Sequence, residues 1–498
     1  MHYLTEYQSL FICIENHNPT KRYFQTMTEL ELQGEYVMDF FCRRNDGLGY
    51  REVKNNAVTP DLFIPADLRE FLKTNSSKAW SNLLRKSEYA GDEQKLLRDI
   101  MDDLRRKIEA SANVAIFLNS TTKNKPYSFQ GETLKLLFVS GSELRGDEDF
   151  EKNIFSAVEE MTYTFHREGK RIFSFRPDLS FFVNGIFLGY AELKSNFTNQ
   201  TARTNGRNKV ITDYLEAVWE YTKLADGNDV QQTLRRTMLR PFEKSIHLVT
   251  TDISDTFVLR NPGQFFDEAK KGFQEGLISI SSYRPIVEEV FKPLPTLVSE
   301  EASPRERFEE AMRSLYSKKM IEKEILYYNF MAYTYKTVTV TENGRKVQKK
   351  EYKDKTGRLI SPRPKQKFGC DRIIERVGEF LAHEQEPNYF IEKLRSELTA
   401  LSAPQDIIER AIAERESYCN NKYVYSLLLQ YAAGFGKSNI IGWTALQLKD
   451  LRYNGEWVYD KILLVVDRLQ LRDQLDSMML NMNIDKAMFV EATDQDTF

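Results

Sequence analysis

The 498 residues are enough for about three domains at roughly 150 residues each. Hydrophobic residues make up 41% of the chain and charged residues 29%, which excludes both a mainly disordered protein and a single small fold. The 70 Lys and Arg nearly cancel the 73 Asp and Glu, leaving a net charge of −3, so a polyanionic partner must be held by local basic patches rather than by a global field. The start, Met1-His2-Tyr3-Leu4-Thr5-Glu6, lacks the basic and long apolar regions of a secretory signal, and no run approaches the roughly 18 apolar residues of a membrane span. Cys13, Cys42, Cys370 and Cys419 form no C-x-x-C pair, and His2, His17, His166, His247 and His383 are scattered without i,i+4 pairing. A soluble, cytoplasmic protein with reduced thiols and no His- or Cys-based metal site is expected.

In the first 130 residues, Leu96, Leu97, Ile100, Leu104 and Ile108 recur at helical spacing and predict a helix over 92–110, but no chemical motif stands out there. A helix through Phe150, Ile154, Phe155 and Val158 follows, then strands over 171–183 and 186–194 and a helix near 210–224, an α/β unit. Ser303-Pro304-Arg305-Glu306 has the residues of a capping box with Pro at the first helical position, and opens a helical connector. Within it, 335–340 and 345–348 flank Glu342-Asn343-Gly344 as a β-hairpin. From Arg345 to Lys367 ten basic residues stand against two acidic ones, a local excess of +8 that reads either as a solvated linker or as a phosphate-contacting strip. A helix-rich stretch runs on to Asn421. Then 425–430 reads as a buried strand, 438–451 as a helix and 461–466 as another buried strand, a β-α-β unit.

Two constellations carry chemistry. In 176–194, two apolar strands surround Asn184-Gly185, a strong hairpin signal, yet Asp178, Glu192 and Lys194 interrupt them. Glu192 and Lys194, two apart, share a face of a strand, and burying them among Phe, Leu and Tyr is costly unless they are paired or bind something. Two carboxylates that hold Mg²⁺ and a lysine beside them are the equipment of phosphodiester cleavage. The alternative is a surface Asp and a strand-end salt bridge. A strict two-residue turn would put Asp178 and Glu192 on opposite faces, so a shared metal requires a parity shift. Either a three-residue loop with Gly185 as a left-handed bulge or a bulge near Asp178 would supply it.

The second is Gln430-Tyr-Ala-Ala-Gly-Phe-Gly-Lys-Ser438, between a predicted strand and a predicted helix, the context of a phosphate loop. Gly434 and Gly436 free backbone N–H groups to surround phosphate oxygens, Lys437 reaches the β/γ-phosphates of ATP and Ser438 ligates Mg²⁺. The alternative is a helix cap without a ligand. Tyr431 stands where the common pattern has its first Gly.

Together, Arg-Pro-Asp…Phe-Val-Asn-Gly…Glu-Leu-Lys at 176–194, the 430–438 loop and Val465-Val-Asp-Arg-Leu-Gln-Leu-Arg-Asp-Gln-Leu475 resemble the R (motor and endonuclease) subunit of type I restriction enzymes. The likeness is specific over about 160–195 and 363–475. It implies a PD-(D/E)xK restriction-endonuclease-like mixed sheet with flanking helices, followed by an incomplete RecA-like P-loop α/β domain of a superfamily 2 helicase-like ATPase. On that likeness Asp178 and Glu192 are metal ligands, Lys194 is the catalytic lysine, and Gln366 stands where the family reads adenine. Gly434, Gly436, Lys437 and Ser438 are the nucleotide residues, with Ser438 also on the metal. Arg468, Arg472 and Gln474 lie in a segment that resembles a DNA-backbone contact. The family's Q-x-x-x-Y element is imperfect, since Ala217 precedes Tyr221 where Gln belongs, and Phe435 replaces a small loop residue.

The expected organisation is an unassigned region over 1–130, a nuclease over 131–295, a connector with a basic hairpin over 296–360 and a first ATPase lobe over 361–498. The expected function is Mg²⁺-dependent cleavage of double-stranded DNA coupled to ATP-driven translocation, in complex with modification and specificity subunits, without a membrane. A stand-alone DNA-processing or defence nuclease-ATPase and an inactive DNA-binding or assembly piece are the alternatives. With 60 residues after Ser438, ATP turnover by this chain alone is expected to be negligible, as for the front of a longer motor or a truncated product.

Overall fold

The computed structural model describes residues 36–482, apart from 44–45, 124–125, 141–147, 195–199, 253, 278, 280–290, 296–301, 343–344, 355, 387, 420–426 and 467–468. Seven strands lie side by side in chain order: β1 (Arg51–Val53), β2 (Phe155–Glu159), β3 (Leu179–Val183), β4 (Ile186–Leu193), β5 (His247–Thr251), β6 (Thr256–Arg260) and β7 (Phe291–Pro293). The β1/β2 and β4/β5 pairs are parallel and the others antiparallel, so the sheet is mixed. Parallel neighbours require a crossover, and the β4-to-β5 connection includes a long helix over Arg207–Thr222.

Both faces of the sheet are covered. On one, Phe155, Phe181, Leu188 and Val249 pack with Leu68 and Phe71 of α1 (Pro65–Asn75) and Leu96, Ile100 and Leu104 of α2 (Glu93–Ala110). On the other, Val158, Phe182, Phe187, Tyr190 and Leu248 pack with Val210, Tyr214 and Val218 of the crossover helix, α3 (Arg207–Thr222). The mixed α/β class is as expected. The helix expected through Phe150 to Val158 is instead a single turn, Phe150–Lys152, followed by β2. Apolar residues feeding two opposite cores mask the alternation that marks a half-buried strand.

The expected boundaries at 130 and 295 do not separate cores. β1 comes from the first 130 residues and joins the sheet, and α4 (Pro304–Tyr316) sends Phe308, Met312 and Leu315 into the same core as Phe181. The capping box is present: Ser303 Oγ accepts the Glu306 N–H at 3.2 Å, and Glu306 accepts the Ser303 N–H at 2.7 Å. A buried Arg260–Glu324 ion pair ties β6 to the segment after α4. β8 (Tyr335–Glu342) and β9 (Arg345–Tyr352) form a two-stranded ribbon, with Thr337, Thr339 and Thr341 exposed and Tyr335 stacked on Tyr352 at 5.2 Å. The front of the basic strip is therefore a strand rather than a linker.

Beyond the ribbon, α5 (Pro364–Ala382), α6 (Lys437–Lys449) and α7 (Leu469–Asn481) are helices, and α6 and α7 share a core through Ile440, Trp443, Met478 and Met479. The expected β-α-β unit is realised only in its helix. Of 425–430, positions 425 and 426 lie outside the described residues; 427–430, like 461–466, run without strand pairing, with Leu428 82% and Val465 79% exposed. A parallel strand draws all its ladder hydrogen bonds from neighbours, and none lies alongside among the described residues. Nor, among them, is any helix long and apolar enough to cross a membrane.

Candidate active site

β3 and β4 are joined by a two-residue turn, Asn184 (φ 50°) and Gly185 (φ 79°), with Val183 opposite Ile186. The turn is internal. Asn184 is fully buried, its Nδ2 donating to the Leu136 carbonyl at 2.8 Å, and a Cβ on Gly185 would lie 2.5 Å from the Ile64 carbonyl oxygen. The parity shift is present, but in neither expected place. Phe182 pairs with Phe187 while Phe181 pairs with Gly189, so Leu188 is an extra residue in β4. Leu179 then pairs with Ala191, and the preceding Asp178 comes level with Glu192. Gly189 is required at the bulge, because a Cβ there would meet the His247 carbonyl oxygen at 2.4 Å.

The three residues singled out in sequence meet. Asp178 is buried and accepts the Leu193 N–H on Oδ2 at 2.6 Å. Burial, reinforced by the Glu192 carboxylate, pushes its carboxyl up to about 7, against the pull of Lys209. Glu192 is 0% exposed; its Oε1 accepts Lys194 Nζ at 2.5 Å, while Oε2 has no hydrogen-bond partner. Lys194 also donates to the Leu193 carbonyl at 2.9 Å.

Two further groups come from α3, and sequence reading missed them. The helix seats closely because Gly206 precedes it: a Cβ there would meet Thr250 Oγ1 at 1.9 Å and Lys194 Cγ at 3.3 Å. Lys209 Nζ then reaches Glu192 Oε1 at 2.5 Å. Burial alone would lower the Lys209 pKa, but the Glu192, Asp178 and Asp213 carboxylates hold it above the usual value. One turn on, burial and Glu192 push Asp213 up to about 7, with Lys209 pulling the other way. The available signal was an i,i+4 charged pair, Lys209 and Asp213, beside the buried Val210, Ile211 and Tyr214. Asp213 and Ala217 line an apolar crevice with Pro177, Tyr190 and Phe242, so the Gln-to-Ala departure falls on the wall beside the carboxylates.

The donor set suits a divalent cation of the Mg²⁺ kind. Two carboxylates are level across a hairpin, and one of their oxygens is buried without a partner. Among the described residues no group of three or more His, Cys, Asp or Glu ligands is assembled. That is compatible with an ion that binds through one or two carboxylates and keeps waters and substrate phosphate for its other positions.

At the other locus, Gly434 (φ 73°) and Gly436 (φ 82°) take the left-handed conformation, and Gly436 starts α6. Lys437 Nζ donates to the carbonyls of Tyr431 and Ala432, both at 3.0 Å, across the mouth of the loop. Ser438 is half-buried. Gln366 is brought to this loop: its Oε1 accepts the Arg363 N–H and its Nε2 donates to the Phe435 carbonyl at 2.6 Å. The two residues that depart from the common loop pattern contact each other, since the Tyr431 and Phe435 rings stack at 4.8 Å and 9°. Arg472 is half-buried and Gln474 exposed on α7, while Arg468 lies outside the described residues.

The family model described as type I restriction enzyme R protein N terminus matches residues 26–274, which span the sheet through β6 and include Glu192 with the four groups around it. No curated protein matches the chain.

Proposed function

The chain belongs to the family of the type I restriction enzyme R protein N terminus, and from that premise we propose that its sheet unit is a PD-(D/E)xK-like, Mg²⁺-dependent endonuclease acting on double-stranded DNA. It would do so in a complex with modification and specificity subunits. The buried, partnerless Glu192 Oε2 beside Asp178 carries this reading, because an orphaned carboxylate oxygen in a protein interior calls for a ligand. Asp178 and Glu192 would hold the metal. When bound, the metal supplies charge neutralisation at the phosphate and a more acidic water. Lys194, held by Glu192 and the Leu193 carbonyl, would present its ammonium to the scissile phosphate and stabilise developing negative charge. The apolar wall of Tyr190 and Phe242 limits water on the inner side of the carboxylates. The exposed cations Lys353, Arg358, Arg363 and Lys365 of the basic strip would contact DNA phosphates, a grip that positions without reading sequence, whereas Lys367 is buried against Asp371.

We further read the Gly434–Ser438 loop as the ATP site of the translocation motor, with Gln366 at the base, Lys437 on the phosphates and Ser438 on the metal. The Gln366-to-Phe435 hydrogen bond, which ties the glutamine to the loop, supports this assignment.

Plasmid cleavage with Mg²⁺ and ATP by the chain reconstituted with modification and specificity subunits tests the nuclease. Glu192→Ala and Lys194→Ala should each reduce cleavage by at least about 100-fold, as loss of a transition-state charge partner does. Equal cleavage by all three proteins would overturn the assignment.

A further inference from the structure

Glu192 accepts two ammonium groups on one oxygen, and they differ in freedom. The Lys194 side chain is 7% exposed, sits on the same strand and has a second acceptor at 2.9 Å. The Lys209 side chain is 37% exposed, arrives from α3, and its second hydrogen-bond contact is a long 3.5 Å approach to the Arg176 carbonyl. Two like charges sharing one oxygen repel each other, and the more exposed one leaves at lower cost. What Lys209 supplies is positive charge on a buried carboxylate, which is also what a divalent cation supplies.

We propose that Lys209 is a movable placeholder for the divalent cation: it neutralises Glu192 while the metal is absent, is displaced when metal binds, and then presents its ammonium to the substrate phosphate. This rests on the metal-site reading above. It follows that Lys209 competes with metal in the free protein and favours metal once DNA is present.

Titrating the full chain with Mn²⁺ alone by calorimetry tests this on wild type, Lys209→Met, Lys209→Gln and Glu192→Gln. The two Lys209 variants should bind Mn²⁺ more tightly than wild type, by on the order of tenfold for loss of a competing contact charge. A phosphorothioate duplex that resists cleavage should tighten Mn²⁺ binding in wild type more than in either variant. Thermal unfolding in EDTA identifies any variant that fails to fold, and the second Lys209 variant then decides. Unchanged or weaker Mn²⁺ binding in a folded Lys209 variant, with wild type binding and Glu192→Gln not binding, overturns the placeholder role alone. Mn²⁺ binding that is absent from wild type, or equal in wild type and Glu192→Gln, overturns the metal site and the placeholder with it.

Discussion

Phe187 and Tyr190 stand three residues apart on one strand, yet both pack on the α3 side of the sheet. The extra residue Leu188 makes this possible, and the same half-turn of strand brings Glu192 level with Asp178. Gly189 permits it by giving β5 room. Gly189→Ala should destabilise the protein by about 2–4 kcal/mol through overpacking against the His247 backbone. It should also cut metal affinity, measured by urea denaturation and Mn²⁺ titration; a neutral effect on both would show that the bulge is dispensable.

The Arg260–Glu324 pair is buried on both sides, with side chains 8% and 0% exposed. Breaking such a pair is costlier than replacing it. Glu324→Leu alone should cost about 3 kcal/mol in urea denaturation, and the double variant Arg260→Met/Glu324→Leu should recover most of that loss.

Asp371 makes the fold lose stability in acid. Burial would raise its pKa, but Lys367 (2.6 Å), Lys323 (3.0 Å) and the Tyr328 hydroxyl (2.7 Å) override it and hold the carboxyl down at about 2. A carboxylate lowered on folding stabilises above its unfolded pKa, and the contribution disappears as pH falls through the folded one. About 2 kcal/mol should therefore be lost between roughly pH 4 and 2. Asp371→Asn should be less stable at pH 7 and show a shallower acid limb in thermal melts across that window.

The Tyr431–Phe435 stack makes two departures from a phosphate-loop pattern into one compensated unit. A double-mutant cycle with Tyr431→Ala and Phe435→Ala should return a coupling of about 1 kcal/mol in denaturant unfolding. A coupling near zero would mean that the rings are merely adjacent.

Asp178, Glu192 and Lys194 were legible because a charged residue inside an apolar strand is conspicuous whatever the register. The bulge was legible as a necessity but not in its location: Phe181, Phe182, Phe187 and Leu188 are all apolar, so no polar residue marks where parity changes. Lys209 and Asp213 stayed hidden because charged residues at the start of a helix read as an ordinary solvated face. The strands expected over 425–430 and 461–466 were inferred from runs of Leu, Ile and Val alone, and apolar sequence does not by itself provide a pairing partner.

The internal Asn184-Gly185 turn reverses a common rule of protein engineering. Hairpin tips are usually the first choice for epitope tags, split points and permuted termini because they face solvent. Here any inserted chain would have to pass through Ile64 and Leu68 of the opposing segment, whereas Gly91, Gly131 and Gly227 have open space where a Cβ would project. Labels meant to report on the Asp178–Glu192 pair without disturbing it belong at those turns.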